Sequence, residues 1–277
     1  MHDNDLSTQE KSPRGSPGAT IRSFALLALF AWALRSFIVA PFSIPSGSML
    51  PTMAIGDYLF VAKWPYGYSR HSFPWRIPSF EGRIPDGLPK RGDVIVFKRP
   101  DAEGADWVKR VIGLPGDTVA ISGGTVLLNG KPVPRHRSAS VALQYSPNSP
   151  CRAAPGAIQD LVEAAGHVSC RFPTYRETLP GGRSYLTFDQ LQGGPADDRP
   201  PVTVPAGRLF LMGDNRDDSL DSRFTLEQGG VGLVPVDRVV GRAAFAFWST
   251  DGSASYWKPW TWITALRVNR IGTTYQP

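Results

Sequence analysis

Cysteine and histidine are both scarce in this chain: two and four residues respectively out of 277. None of His2, His71, His136 and His167 forms a metal-ligand pair and no HExxH stretch occurs, which argues against a zinc enzyme. Nor does a chain of this length need disulfides or metals to hold a core. Dense basic runs are missing as well. The 30 basic and 24 acidic residues leave a net charge of +6 scattered along the sequence, so nucleic acid is not the expected partner. A mean hydropathy of −0.18 with 42% hydrophobic residues excludes both a polytopic membrane protein and wholesale disorder. No internal repeat is present. The nucleophile elbow GxSxG is also absent, which leaves a Ser-His-Asp triad without support.

Glycine and proline, by contrast, are plentiful (28 and 26), which favours turns and short strands over long helices. Residues 1–20 are polar, rich in Ser, Pro, Gly and charge, and read as a disordered tail. From Ile21 to Ala40 the chain is apolar apart from Ser23, Arg35 and Ser36 and their neighbour Arg22; 20 residues give about 30 Å of helix, enough to cross a bilayer. Arg35 lies near one end of that span, where a long basic side chain reaches the headgroups. Pro41 at the position after Ala40 disfavours cleavage there, so the segment reads as an uncleaved anchor rather than a signal peptide. Lys11, Arg14 and Arg22 precede or open the span and no Lys or Arg occurs in 41–60, which puts the tail in the cytoplasm and the rest outside.

Beyond the anchor, short β-branched or aromatic runs bounded by Gly, Pro or Asn predict strands at 58–62, 93–97, 107–112, 118–121, 125–128, 208–212 and 239–248. Asn129-Gly130 signals a hairpin. Residues 64–90 carry five prolines and several aromatics and suit an extended ribbon or loop. Residues 131–206 are turn-rich, as in an insertion that covers a core, and Ala157 to Ala165 is the one helix-like piece within them. Cys151 and Cys170 both fall in this insertion. An oxidising compartment favours a disulfide between them, closing a loop of about 20 residues worth ~3 kcal/mol, against the alternative of two free thiols.

Three segments carry chemistry. Pro41-Phe-Ser-Ile-Pro-Ser-Gly-Ser48-Met-Leu-Pro-Thr52 offers a serine in a tight turn, although Ser, Pro and Gly also make linkers. Lys109 sits in the apolar run Trp107 to Ile112; burial there lowers a lysine pKa until the amine acts as a base, whereas an edge-strand lysine stays solvated. Period-two alternation puts Trp107, Lys109 and Val111 on one face. Met212-Gly-Asp-Asn-Arg-Asp-Asp-Ser-Leu-Asp-Ser-Arg223 is dense in carboxylates, but counting from Asp217 places Ser222 and Gln228 where an EF-hand needs Gly and Glu. It reads as a rigid buttressing loop.

Taken together, Ile44-Pro-Ser-Gly-Ser-Met-Leu-Pro-Thr52, Gly56-Asp-Tyr-Leu-Phe-Val, Arg91-Gly-Asp-Val-Ile-Val-Phe97, Val108-Lys-Arg-Val-Ile-Gly-Leu-Pro-Gly-Asp117 and Gly213-Asp-Asn-Arg-Asp-Asp-Ser-Leu-Asp-Ser-Arg223 closely resemble the ordered boxes of bacterial type I signal peptidases. The resemblance covers roughly 33–130 and 205–250. It implies a mainly β protein: one transmembrane helix, then a catalytic core (43–64, 91–117 and 206–250) interrupted by a second, variable β-domain (118–205). Ribbon 65–90 and an aromatic segment 251–277 complete the chain.

It also implies that Ser48 is the nucleophile and Lys109 the general base of an acyl-enzyme endopeptidase. Ser46 and the Ser48 amide would form the oxyanion hole, and Ser219 would orient the lysine. Asp221 and Arg223 would make a supporting ion pair beside Arg110. Phe42, Ile44, Pro45, Met49, Met53, Trp107 and Val108 would line shallow pockets for small residues at −1 and −3. Partners would be preprotein signal peptides, the phospholipid bilayer and the export machinery, at the inner membrane with the catalytic part on the outer, periplasmic face; no cofactor or metal is expected. The chain departs from the family pattern in a longer stretch from Phe224 to Gly232 and in having one anchor where many members have two.

Other readings fit parts of the sequence. A specialised pilin or conjugation peptidase would share the dyad, and a catalytically silent membrane-anchored binding module would tolerate loss of Ser48 or Lys109. A penicillin-binding enzyme would use Ser255-Tyr-Trp-Lys258, but that SxxK lies near the chain end and KTG is absent. Trp257, Trp260 and Trp262 suit either an interfacial aromatic belt or core packing.

Overall fold

The computed structural model describes residues 17–101, 104–151, 160–164, 167–255 and 257–275. Helix α1 spans Pro17–Ala33 and runs into a π-helical turn, Leu34–Ile38. Pro17–Ile38 is long and apolar enough to cross a membrane. Its Ile21, Phe24, Leu27 and Phe30 are exposed and the α-helical part buries nothing, as suits a helix solvated by lipid rather than by a protein core. Among the described residues the helix already includes Pro17 to Thr20, ahead of the apolar run. It stops at Ile38 because Val39 and Ala40 are taken into the first strand. Of the tail expected over 1–20, residues 1–16 lie outside the described residues and 17–20 are helical.

The strands are β1 (Val39–Ser43), β2 (Asp57–Ala62), β3 (Val94–Lys98), β4 (Asp106–Gly113), β5 (Thr118–Ser122), β6 (Thr125–Leu128), β7 (Lys131–Pro132), β8 (Arg135–Arg137), β9 (Val141–Gln144), β10 (Asp160–Ala164), β11 (His167–Phe172), β12 (Thr174–Thr178), β13 (Ser184–Phe188), β14 (Arg199–Thr203), β15 (Arg208–Met212), β16 (Val234–Pro235) and β17 (Val239–Ser249). Among the described residues, seven of them form one antiparallel sheet in the order β1-β2-β17-β3-β4-β15-β16. The chain is mainly β, with one apolar N-terminal helix.

Strand β3 explains its own composition. Val94 and Val96 pack with Leu59, Val61 and Ala243 in one cluster, while Ile95 and Phe97 pack with Val111, Leu209 and Val239 in another. A strand covered on both faces has no polar side to present, hence an unbroken apolar run.

Between β4 and β15 the chain builds a four-stranded sheet, β14-β5-β6-β7, and two three-stranded sheets, β10-β11-β9 and β13-β12-β8. Asn129 and Gly130 take positive φ (53° and 76°) and close the β6–β7 hairpin, the geometry a two-residue turn of this kind requires. The expected helix at Ala157 to Ala165 is not formed: 160–164 is β10, paired antiparallel with β11, and 157–159 and 165 lie outside the described residues. A strand partner here overrides an alanine-rich segment's helix propensity. The cysteines are joined, Cys151 to Cys170, with Cα atoms 5.8 Å apart.

The segment after β2 is not extended throughout but carries three 3-10 turns, Trp64–Tyr66, Arg70–Ser72 and Pro74–Arg76, and buried side chains hold it: the Tyr66 hydroxyl donates to Asp93. Arg83 donates to the carbonyls of Tyr66, Gly67, Val236 and Val239 and so pins the ribbon to the start of β17. At the other end of the chain Trp257, Trp260 and Trp262 surround the short helix α2 (Thr261–Thr264) and are exposed, which excludes core packing as their role.

Candidate active site

Ser48 stands in a turn between β1 and β2, half-buried, and Lys109 stands in mid-β4, only 2% exposed. The Lys109 amine donates to Ser48 Oγ at 2.7 Å, and the amine nitrogen lies 5.3 Å from the centre of the Trp107 ring. Burial is the dominant influence on this lysine and pushes it down to about 8; Asp221 and Asp214 pull it the other way, and Arg223 opposes them. A lysine so placed has a substantial neutral fraction on the alkaline side of neutrality, enough to take a proton from a hydroxyl it touches.

The turn is clamped by the loop after β15. Asn215 N–H donates to the Ser48 carbonyl (3.1 Å), and its side-chain amide donates to the Gly47 carbonyl (3.1 Å). Thr52 Oγ1 donates to Asp214 Oδ2 at 2.5 Å. Gly213 is required for this approach, since a Cβ there would collide with the Ser219 hydroxyl and the Ser48 carbonyl oxygen. From the other side Leu50 and Ala54 pack against Cys170, Phe172 and Phe188, so the turn also rests on the strand segment that carries the disulfide.

Asp221 is fully buried and anchors the loop. It accepts two hydrogen bonds from the Arg223 guanidinium (2.9 and 2.8 Å), one from Gly213 N–H (2.9 Å) and one from the Ser219 hydroxyl (2.9 Å). Burial alone would raise its carboxyl, but Arg223 and these donors outweigh it and hold the group below the usual carboxylate range. The expected Ser219–Lys109 hydrogen bond is not formed: the hydroxyl donates to Asp221 instead. A carboxylate two residues away is the stronger acceptor for that hydroxyl.

Arg110 also departs from its expected place beside Asp221 and Arg223. It makes a bidentate pair with Asp214 (2.8 and 2.6 Å), both side chains 2% exposed or less, and donates to the Gly92 carbonyl. Neither Asp214 nor Asn215 was assigned a part from sequence, although both stand inside the quoted motif; nothing in a linear motif says which arginine its aspartate will meet. Glu177 of β12 is a second unforeseen partner, paired with Arg216 of the same loop. Asp217 accepts from the N–H groups of Gln190 and Leu191.

The expected pocket residues do not all come together. Ile44, Met49 and Met53 are buried in one cluster with Phe42 and Val108 packed against it, whereas Trp107 joins the cluster on the other side of the sheet. Pro45, Ser46 and Ser48 line a cavity of about 410 Å3 whose far wall is Leu143, Cys151, Cys170 and Phe172. Ser46 is exposed at its rim.

Comparison with known proteins follows the same lines. The sequence profile of a family described as signal peptidase, peptidase S26, matches residues 18–248. A signal peptidase I of Rickettsia canadensis is 33% identical over 271 residues, covering 90% of each chain. One from Rickettsia conorii is 32% identical over 293 residues, covering 97% of this chain and 96% of its own. The solved structure of a signal peptidase I from Enterococcus faecalis is 26% identical and covers 56% of this chain and 96% of that one, with a TM-score of 0.29.

Proposed function

The chain belongs to the signal peptidase family, peptidase S26, and on that premise we propose that it removes N-terminal signal peptides with Ser48 as nucleophile and Lys109 as general base. The observation that carries the reading is the 2.7 Å contact between Lys109 Nζ and Ser48 Oγ at a buried lysine. With the amine neutral, the hydroxyl donates across that contact. The proton passes from Ser48 to Lys109 as Oγ adds to the scissile carbonyl, and the resulting ammonium protonates the leaving amine. The acyl-enzyme is then opened by water: Lys109 takes the water's proton as its oxygen adds to the acyl carbon, and returns it to Ser48 Oγ as the carbon–Oγ bond breaks and the carboxylate product leaves. The Ser48 N–H and the Ser46 hydroxyl are the donors proposed for the oxyanion, which gains stabilisation as charge develops.

Small residues at −3 and −1 are the proposed specificity, with Phe42 and Val108, at the surface of the apolar cluster, as the groups that meet them. The fully buried Ile44, Met49 and Met53 act by shaping that surface from below. Pro17–Ile38 serves as a single anchor, with residues before it in the cytoplasm and the sheets on the outer face of the inner membrane. A nucleophile ten residues beyond the span meets a cleavage site as it leaves the bilayer, where export machinery delivers it.

The test is cleavage of a signal-peptide-bearing precursor by the full chain in detergent. Wild-type protein is expected to release the mature chain and Ser48→Ala to leave the precursor intact; equal cleavage by both would sink the assignment. In intact spheroplasts, external protease is expected to digest the sheets and spare the tail.

A further inference from the structure

A second cavity, of about 670 Å3, opens where α1 meets the strands and the ribbon; it shares Phe42 with the proposed substrate surface and holds neither Ser48 nor Lys109. Its two ends differ. Ala28, Ala31 and Trp32 of the helix make one wall, apolar and within the span. The opposite end gathers Arg35, Lys63, Arg76 and Lys98 around one carboxylate, Asp106. Lys98 and Asp106 pair at 2.8 Å. Leaving Arg76 aside, Arg35, Lys63 and Lys98 against one anion leave an excess of two positive charges among these lining residues.

Lys63 makes this excess costly. It is 4% exposed, and of its three ammonium donors one is used, on the Ser72 carbonyl at 2.7 Å. Burial lowers it to about 8; Asp106 pulls it back up, but Arg35, Lys98 and Arg83 oppose that pull, so one carboxylate serves several cations. Arg35 has no acceptor among the described residues. It lies at the end of the span toward the sheets, at the depth where lipid headgroups sit. A buried charge is tolerated when an opposite charge and hydrogen-bond acceptors meet it. A phosphate diester supplies both, and the apolar helix wall below would take the chain attached to it.

We infer that this cavity binds one anionic phospholipid, its phosphate among Arg35, Lys63 and Lys98 and its acyl chains along Ala28, Ala31 and Trp32. The lipid then acts as a wedge between anchor and sheets. It sets the angle at which the domain meets the membrane without touching the Ser48 turn. Arg76 and Ser72 of the ribbon close the headgroup end, which gives the ribbon a role beyond connecting β2 to β3.

The full chain, carrying Ser48→Ala so that turnover plays no part, is reconstituted in phosphatidylcholine nanodiscs containing a minor fraction of phosphatidylglycerol. Retained lipid is counted by native mass spectrometry after detergent stripping. The expected result is one phosphatidylglycerol per chain, preferred at least tenfold over phosphatidylcholine. Retention should fall at least tenfold in the double variant Arg35→Gln/Lys98→Gln and stay unchanged in Lys131→Gln, which removes an exposed charge elsewhere. The two single variants, each expected to lower retention, keep the test decisive if the double variant unfolds. Equal retention of both lipids, retention indifferent to these substitutions, or displacement by inorganic phosphate would each overturn the proposal. Because the readout is lipid and not cleavage, it stands or falls apart from the Ser48–Lys109 assignment.

Discussion

Arg110 and Asp214 meet in a bidentate ion pair that is almost wholly buried, and each stands next to a residue that shapes the site: Lys109 before the arginine, Asn215 after the aspartate. The pair therefore sets the distance between the lysine strand and the loop that clamps Ser48. Its geometry is completed by Gly92 O and Thr52 Oγ1, so the charges have hydrogen-bond partners beyond each other. This is the condition under which a buried pair fixes structure.

Removing one partner should be far worse than removing both. Arg110→Met leaves Asp214 as an uncompensated buried carboxylate and should cost about 3–5 kcal/mol, whereas Arg110→Met with Asp214→Leu should recover much of that. Chemical denaturation of the three proteins checks it. A double variant no more stable than the single one would show that the pair is not coupled.

Loss of either dyad member should be nearly complete. Ser48→Ala, Lys109→Met and the two combined should each lower kcat/KM on a precursor by a similar factor, on the order of 10^4 or more, because the groups act as a unit. Additive losses in the double variant would mean that they act separately.

Acid should silence the enzyme as Lys109 takes up a proton. kcat/KM is expected to rise with pH through about 8 and then level off. Arg223→Gln leaves Asp221 unneutralised beside the lysine, which favours the ammonium and moves the limb to higher pH. Asp221→Asn removes a charge that raises the lysine and moves it to lower pH. A limb that stays in place in both variants would show that the loop has no electrostatic hold on the base.

The same burial costs stability. Lys109 titrates near 10.5 when unfolded and near 8 when folded, so between those values the unfolded chain binds more protons and stability rises with pH. Below 8 the whole penalty is present, roughly 3 kcal/mol at about 1.4 kcal/mol per unit of pKa. Lys109→Met should therefore melt above the wild type at pH 7, with the gap narrowing as pH climbs from 8 toward 10.5. A thermal melt series in pH reads this directly.

The strand that carries the disulfide should matter to the nucleophile. Leu50→Ala empties a contact with Cys170, Phe172 and Phe188 and should cost about 2–5 kcal/mol. It should also lower kcat more than it changes KM, since Leu50 is two residues from Ser48. Precursor kinetics beside a denaturation curve separate the two effects.

Much of this protein could be read along the chain. Every predicted β-run beyond the anchor that was tied to Gly, Pro or Asn boundaries became a strand, because such signals are local: side-chain alternation and turn residues act within a few positions. Asn129-Gly130 closed its hairpin for the same reason. The apolar N-terminal helix was legible too, though its ends were not. Val39 and Ala40 suit a helix or a strand equally, and the choice was made by pairing with Val61 and Ala62 across a long connection. Residues 160–164 went from a helical expectation to a strand on the same ground, their partner β11 being decisive. At the site, the ordered motifs singled out Ser48 and Lys109 through the family resemblance, and the fold brings the two side chains to 2.7 Å. That Asp214 met Arg110, 104 residues away in sequence, while Asp221 was left to Arg223 and the Ser219 hydroxyl two residues away, depended on which charges the fold brought together. Those choices follow from the cost of burying an unpaired charge, and that cost exists only once tertiary packing has removed the water.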